Sequence, residues 1–285
     1  MSDLSWKNSH LLPYLEETVD TDRIHIHQCL PSTNDTAKAM AKDGCLHGTV
    51  VLANMQTAGR GRFNRAFYSP ENTGLYMSIV LDADKLGFEE YSLLTPLVAV
   101  ITNRVIHSIT KKKCGIKWVN DLYLEDKKVC GILTEGVLDG SVLNKFVVGI
   151  GVNIGTASFP EELENIAGAL IAGDNITEEA ENLIYSRSEY LTKACQEVRN
   201  QLAGAIINEL TKETVFEDYQ SLMSEYRSNQ ILIGKEVNVL GAKETYEAKV
   251  IDVDDNGHLL VERITGENNG QIETLNSGEV SVKKK

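Results

Sequence analysis

The chain has 285 residues, room for one large domain or one large and one small, and its 41 Asp and Glu against 28 Lys and Arg give a formal net charge of −13. A pI near 5.0 excludes broad binding to nucleic acid or anionic membranes, which demands basic surface. Five cysteines (Cys29, Cys45, Cys114, Cys130, Cys195) are odd in number, widely spaced and without a CxxC pair, which reads as reduced thiols in a cytoplasmic protein, not a disulfide frame or a zinc site.

Residues 1–22 read as a short helix or extended lead-in. Their start is polar, with no apolar run behind it, so no secretory signal is expected. Residues 23–30 alternate, Ile24 and Ile26 against Arg23, His25 and His27, as in a half-exposed strand. The two histidines have no carboxylate or third histidine nearby and read as a solvated strand face, not a metal site. Pro31 to Asp35 ends this strand and opens a helix that Ser32 or Thr33 can cap; Gly44 ends it. An apolar strand is expected over 48–54 and another over 74–81.

Between these two strands lies a 17-residue loop, 56–72, longer than a packed connection needs. Three arginines and two glycines fall within seven residues, 59–65, as Gly-Arg-Gly-Arg-Phe-Asn-Arg. Such a cationic knot in an acidic chain is either a solvated surface loop or an anion-binding loop. The glycines let backbone approach a ligand closely, and the arginines offer planar forks suited to phosphate or carboxylate. With few apolar anchors beyond Phe63, Phe67 and Tyr68, the loop is expected to be disordered until a ligand folds it.

Apolar spacing over 88–110 predicts a core helix. Its most apolar part, 93–101, contains Thr95 and Pro96 and is too short to span a bilayer. Residues 115–155 predict three strands: 115–121, a hairpin over 122–137 turning at Glu125-Asp126-Lys127, and an apolar strand over 145–154. A helical region is expected from 161 to 226. After Asn229 the chain becomes short strands and turns, the pattern of a small β-barrel, placing a domain boundary near 230.

The run Gly149-Ile150-Gly151-Val152-Asn153-Ile154-Gly155 is not a dinucleotide fingerprint, because the third glycine is one place late and no helix follows at once. There is no P-loop, no GxSxG elbow and no HExxH. An enzyme built from this chain would work by positioning and charge neutralisation, not through a covalent nucleophile.

Four segments at strand ends and turns remain: Ser32-Thr33-Asn34, Gln56 to Arg62, Lys117-Trp118-Val119-Asn120-Asp121 with Lys128, and Gly149 to Asn153. In this order and combination they resemble the biotin protein ligase family from about residue 24 to the C-terminus. The resemblance implies an α+β fold: a mixed sheet flanked by helices, as in class II synthetase and biotin–lipoate ligase domains, over 1–230, then an SH3-like barrel over 231–285. It implies that ATP, with magnesium, activates biotin to biotinyl-5′-AMP, and that a lysine of a biotin carboxyl carrier domain then takes the biotin.

Residue by residue, the resemblance gives Ser32, Thr33, Asn34 and Gln56 the biotin ring system, and Gly59 and Arg60 the pocket wall. Arg62 and Lys128 would be catalytic, at the carboxylate and α-phosphate. Gly131 would contact biotin through its backbone. Arg60, Arg65, Phe67, Lys117 and Asn153 would meet ATP, Phe67 stacking on adenine where many relatives have Trp. Asn120 and Asp121 would face the phosphates and Mg2+. Val119 stands where the family often has Pro, and Phe63-Asn64 where Arg-Gly is common. Only about twenty residues precede the first strand, so no DNA-binding domain and no operator binding are expected; the chain is expected to act as monomer or homodimer, away from membranes. A lipoate or octanoate ligase on the same fold, or a non-catalytic binding module, are the rival readings.

Overall fold

The computed structural model describes residues 6–156, 158–171, 187–240, 244–266 and 268–282. A short helix α1 (Asn8–Leu11) leads into strand β1 (Ile24–Leu30), helix α2 (Thr33–Lys42), strands β2 (Thr49–Gln56) and β3 (Gly74–Asp82), and helix α3 (Leu94–Thr110). Strands β4 (Gly115–Lys117), β5 (Asp121–Leu124), β6 (Lys127–Asp139) and β7 (Val142–Asn153) follow, then helices α4 (Arg187–Leu210) and α5 (Tyr219–Ser228). Seven strands make one mixed sheet, ordered β1-β2-β3-β7-β6-β5-β4. β1 and β2 run parallel and the other pairs antiparallel.

The sheet is covered unequally. On one face Leu75, Met77, Ile79, Leu81, Ile132, Val148, Ile150 and Val152 join α3 and α4 in the main core. That is why β2, β3 and β7 read as almost unbroken apolar runs. On the other face α2 packs Ala37 and Ala41 onto Val51, Val80, Val137 and Val147. Strand alternation continues that second face from Val80 to Ser78 and Tyr76, from Val147 to Gly149 and Gly151, and from Val137 to Glu135, Leu133 and Gly131. α2 covers this face only as far as Asn34, which meets Ser78, Leu133 and Glu135, and the cleft described below opens beyond it over Gly131 and Gly151.

The helix predicted over 88–110 is α3 with a 3-10 turn before it, Tyr91–Leu93, and together they are long and apolar enough by composition to cross a bilayer. Its apolarity serves the core: Leu94, Leu97, Val98, Val100, Ile101, Val105 and Ile106 are all buried.

The helical region expected over 161–226 is corrected at its start. Residues 161–171 form turns, and 172–186 lie outside the described residues. The turns spend their backbone groups on the sheet edge: Lys128 N–H donates to Ile166 O, Gly168 N–H to Lys128 O, and Leu170 N–H to Asn153 O. These groups are therefore not available for helical bonding.

Five C-terminal strands, β8 (Glu236–Leu240), β9 (Thr245–Val253), β10 (Leu259–Arg263), β11 (Ile272–Leu275) and β12 (Glu279–Val282), form an antiparallel SH3-like unit ordered β11-β10-β9-β8-β12. Val237, Val239, Ala248, Val250, Leu259 and Val261 fill its core. Its 254–257 turn is fastened to the large sheet domain. Trp118 Nε1 donates to Gly257 O at 2.8 Å, and Arg227 donates to Val253 O at 2.6 Å and to Asp255 at 2.7 Å.

Candidate active site

The uncovered end of the sheet floors a cleft of about 700 Å³, a size suited to a small organic ligand. Of the residues the sequence singled out, Ser32, Thr33, Asn34, Gln56, Arg60, Arg62, Arg65, Phe67, Lys117, Asn120, Asp121, Lys128, Gly131 and Asn153 all line it. Gly59 does not. It is buried behind the loop, where an added Cβ would stand 2.5 Å from Phe67 O and 2.7 Å from Ser69 Oγ.

The loop expected to be disordered is folded as a hairpin. Gly61 N–H donates to Arg65 O at 2.7 Å and Phe67 N–H to Gly59 O at 2.9 Å. Its tip turns through left-handed backbone at Phe63 (φ 54°) and Asn64 (φ 58°). Asn tolerates that region and a bulky aromatic tolerates it poorly, so the positive φ at Phe63 goes beyond what the sequence indicated. The hairpin sorts its arginines. Arg60 reaches Asp35 on α2 at 3.0 Å. Arg62 spans the cleft mouth, donating to Asn120 Oδ1 at 3.3 Å and to Gly278 O of the small domain at 3.4 Å.

On the floor, Gly131 and Gly151 are cross-strand partners, and both are needed bare. A Cβ on Gly151 would stand 2.6 Å from the Phe67 ring, and one on Gly131 would stand 3.0 Å from Lys128 Nζ and 3.3 Å from that ring. Phe67 therefore lies over a glycine platform, edge-on to Tyr76 at 6.4 Å.

Lys128 reaches the cleft through a register shift. Tyr123 pairs with Lys128 but Leu122 with Cys130, so Val129 is the extra residue of a bulge. Val129 and Cys130 both enter the core, while Lys128 shares the cleft with Gly131, three residues on. A bulge re-aims a side chain in this way. Asp121 pairs with Lys128 Nζ at 2.6 Å, and Lys117 lies 5.5 Å from the Tyr123 ring centre. Burial, with Asp121 beside it, pushes the Tyr123 hydroxyl up to about 12, so this phenol stays neutral. The Trp118–Val119 peptide is cis. Asn153 Oδ1 is buried and lacks a hydrogen-bond partner among the described residues, leaving an acceptor in the cleft.

The opposite wall is a chain of amides and hydroxyls. Thr33 N–H donates to Gln56 Oε1 at 2.8 Å and Gln56 Nε2 to Ser69 Oγ at 2.9 Å. Ser78 Oγ lies 2.8 Å from Thr33 Oγ1 and 2.6 Å from Asn34 Oδ1. Asn34 Nδ2 donates to Glu135 Oε2 at 2.9 Å, and Lys38 meets the other oxygen at 2.8 Å. Burial raises the Glu135 pKa, but the hydrogen bonds from Lys38 and Asn34 outweigh it and leave the carboxyl below its ordinary value. Sequence reasoning missed Ser78 and Glu135. The available signal was an acid and a hydroxyl in apolar strands, in phase with the cleft-facing glycines.

Residues 26–153 match the Biotin/lipoate A/B protein ligase family, and residues 232–283 the Biotin protein ligase C terminal domain. The chain is 31% identical over 250 residues to the Bifunctional ligase/repressor BirA of Bacillus subtilis, covering 84% of this chain and 69% of that one. The chain belongs to the biotin protein ligase family. Another member, the Biotin--[acetyl-CoA-carboxylase] ligase of Mycobacterium tuberculosis, is 28% identical, with 81% of this chain and 80% of that one aligned. Among solved structures, the biotin protein ligase of Aquifex aeolicus in complex with biotin and ATP superposes with a TM-score of 0.64 at 27% identity, covering 92% of this chain and 99% of that one. The fold and ligase activity expected from the sequence therefore stand.

Proposed function

We propose that this biotin protein ligase activates biotin with ATP in the cleft and hands it to a lysine of a biotin carboxyl carrier domain. The observation that carries the reading is that Arg62 and Arg65 of the hairpin, Lys117 and Lys128 line one cleft together with the hydrogen-bonding side chains of Ser32, Thr33, Asn34 and Gln56. A carboxylate and a triphosphate repel one another, and fixed cations offset that repulsion without reorganising.

Ser32, Thr33, Asn34 and Gln56 would take the ring system, and Gly131 would let it approach the sheet. Arg60, held by Asp35, stiffens the hairpin beside them. Lys128 would sit at the carboxylate and α-phosphate, and Arg62 would span them. A biotin carboxylate oxygen then bonds to the α-phosphorus as the bond to pyrophosphate breaks. Arg65, Lys117 and Asn153 would hold the nucleotide, with Phe67 against the adenine. In the second step the acceptor amine attacks the acyl carbon and AMP departs. Magnesium, brought with ATP, would supply charge neutralisation at the phosphates. The Asp121 carboxylate and the Asn120 amide oxygen, which now meet Lys128 and Arg62, would be its two protein donors, since Mg2+ needs few protein oxygens beside phosphates. The catalytic unit is assigned to residues 1–230 and the small domain to 231–285.

ATP–pyrophosphate exchange with biotin, lipoate and octanoate in turn tests this reading. Exchange is expected with biotin. Exchange with lipoate or octanoate alone would make the protein a lipoyl-type ligase, and none with any acid would make it a binding module.

A further inference from the structure

Resting on the reading of this cleft as the biotin site, we propose that Glu135 is a positioning residue that sets the direction of the hydrogen-bond chain facing the ring. It does so without lining the cleft.

Asn34 is 4% exposed and Ser78 fully buried, so water cannot repair a misdirected hydrogen bond here. An asparagine amide can be turned either way, and its partners decide. Nδ2 faces two acceptors, Glu135 Oε2 at 2.9 Å and Leu133 O at 3.3 Å. Oδ1 must then face Ser78. The single Ser78 proton goes to Asn34 Oδ1 at 2.6 Å, the shorter of its two contacts. Thr33 Oγ1 receives no proton from Ser78 and keeps acceptor capacity, while its own proton is drawn toward Gln56 Oε1, 3.1 Å away. The Ser32 hydroxyl oxygen accepts from Asp35 N–H at 3.3 Å, and its proton remains to be donated. The wall thus offers a donor at Ser32 and an acceptor at Thr33, complementary to a cyclic urea with its carbonyl and N–H groups.

Glu135 is the one carboxylate in contact with this chain among the described residues. Lys38, lodged between Glu135 at 2.8 Å and Asp35 at 3.6 Å, keeps its second oxygen engaged. Gly149 makes room for the arrangement, because a Cβ there would fall 2.0 Å from Asn34 Oδ1. Without Glu135, one acceptor that fixes Asn34 is gone. The amide can turn over, Ser78 then donates to Thr33, and one of the two acceptor positions on Thr33 Oγ1 is taken.

The test is steady-state pyrophosphate exchange with full-length Glu135→Ala, Glu135→Gln, Asn34→Asp and the Asn34→Asp/Glu135→Gln pair, varying biotin and ATP separately. Glu135→Ala should raise the biotin KM about tenfold, the cost of one misdirected buried hydrogen bond, with kcat and the ATP KM little changed. Glu135→Gln retains an acceptor and should recover most of the affinity. Asn34→Asp sets two carboxylates face to face and should be worse than Glu135→Ala. The double variant restores a donor–acceptor pair of reversed polarity and should be better than Asn34→Asp alone. An unchanged biotin KM in Glu135→Ala overturns the proposal. So does equal loss in biotin KM, ATP KM and kcat with a lowered melting temperature, or a double variant no better than Asn34→Asp. Wild-type exchange with biotin, run alongside, separates failure of the substrate assignment from failure of this one.

Discussion

Lys128 illustrates how one side chain acquires its setting from its neighbours. Asp121 holds its ammonium at 2.6 Å, and both side chains are about a quarter exposed, at 25% and 21%. A pair so placed adds little to stability, so its value lies in where it holds the charge. Lys128→Ala should lower exchange by about two to three orders of magnitude, the usual loss for a fixed electrostatic group, while shifting unfolding free energy by under about 1 kcal/mol. Near-normal exchange would remove Lys128 from the chemistry. The arginines differ in kind. Arg60 is tied to Asp35, a partner on another element that local sequence could not reveal, whereas Arg62 reaches across to Gly278. Motif spacing marked both residues but could not assign them separate partners.

At the level of strands and hairpins, the site depends on which face of β6 and β7 carries no side chain. Gly151→Ala would drive a methyl group into the Phe67 ring at 2.6 Å, an overpacking that costs about 1–3 kcal/mol. The ring can relieve it only by leaving the platform, so the ATP KM should rise with the biotin KM less affected; measured nucleotide affinity checks this, and an unchanged ATP KM would separate Phe67 from the nucleotide. This platform was half legible in the sequence. The Gly-x-Gly-x-Asn alternation places Gly149, Gly151 and Asn153 on one face, but nothing local pairs Gly151 with Gly131. The lysine at 128 was recognised only by resemblance, because plain alternation breaks at Val129 and a bulge has no dependable sequence mark. The turns over 161–171 were mistaken for helix because their composition favours helix, and their real partners, Lys128 on β6 and Asn153 on β7, lie well upstream in the chain. The loop hairpin 59–67 was missed because its closing bonds are backbone to backbone. It should nonetheless be the protease-sensitive element, being short and largely exposed, and biotin with ATP should protect residues 59–70 in limited proteolysis. Equal cleavage with and without ligand would count against closure over the adenylate.

At the level of the molecule, acid sensitivity has an identifiable source away from the cleft. Burial lowers the His47 pKa from 6.5, with nearby Lys85, Lys145 and Arg23 acting in the same direction, while its Nδ1 accepts the Asp82 N–H at 3.0 Å. Below pH 6.5 the unfolded chain takes up a proton that the folded chain refuses, so stability falls as pH drops from 6.5 toward the lowered folded value and is flat above. His47→Gln keeps an acceptor and loses the titration. Urea midpoints between about pH 5 and 8 should slope in the wild type and flatten in the variant; identical slopes would place the source elsewhere. The two-part build was readable from composition, since alternating short strands replace helix after Asn229, but the joint was not. Trp118 donates across it to Gly257, and Arg62 reaches over it to Gly278. The consequence is thermodynamic linkage. A ligand at one hundred times its dissociation constant adds about 2.7 kcal/mol to the folded state. Because Arg62 and Trp118 both line the cleft and each bonds to the small domain, ligand is expected to stabilise β8–β12 as well, making the C-terminal unit a thermometer for occupancy of a site that lies mostly in its neighbour.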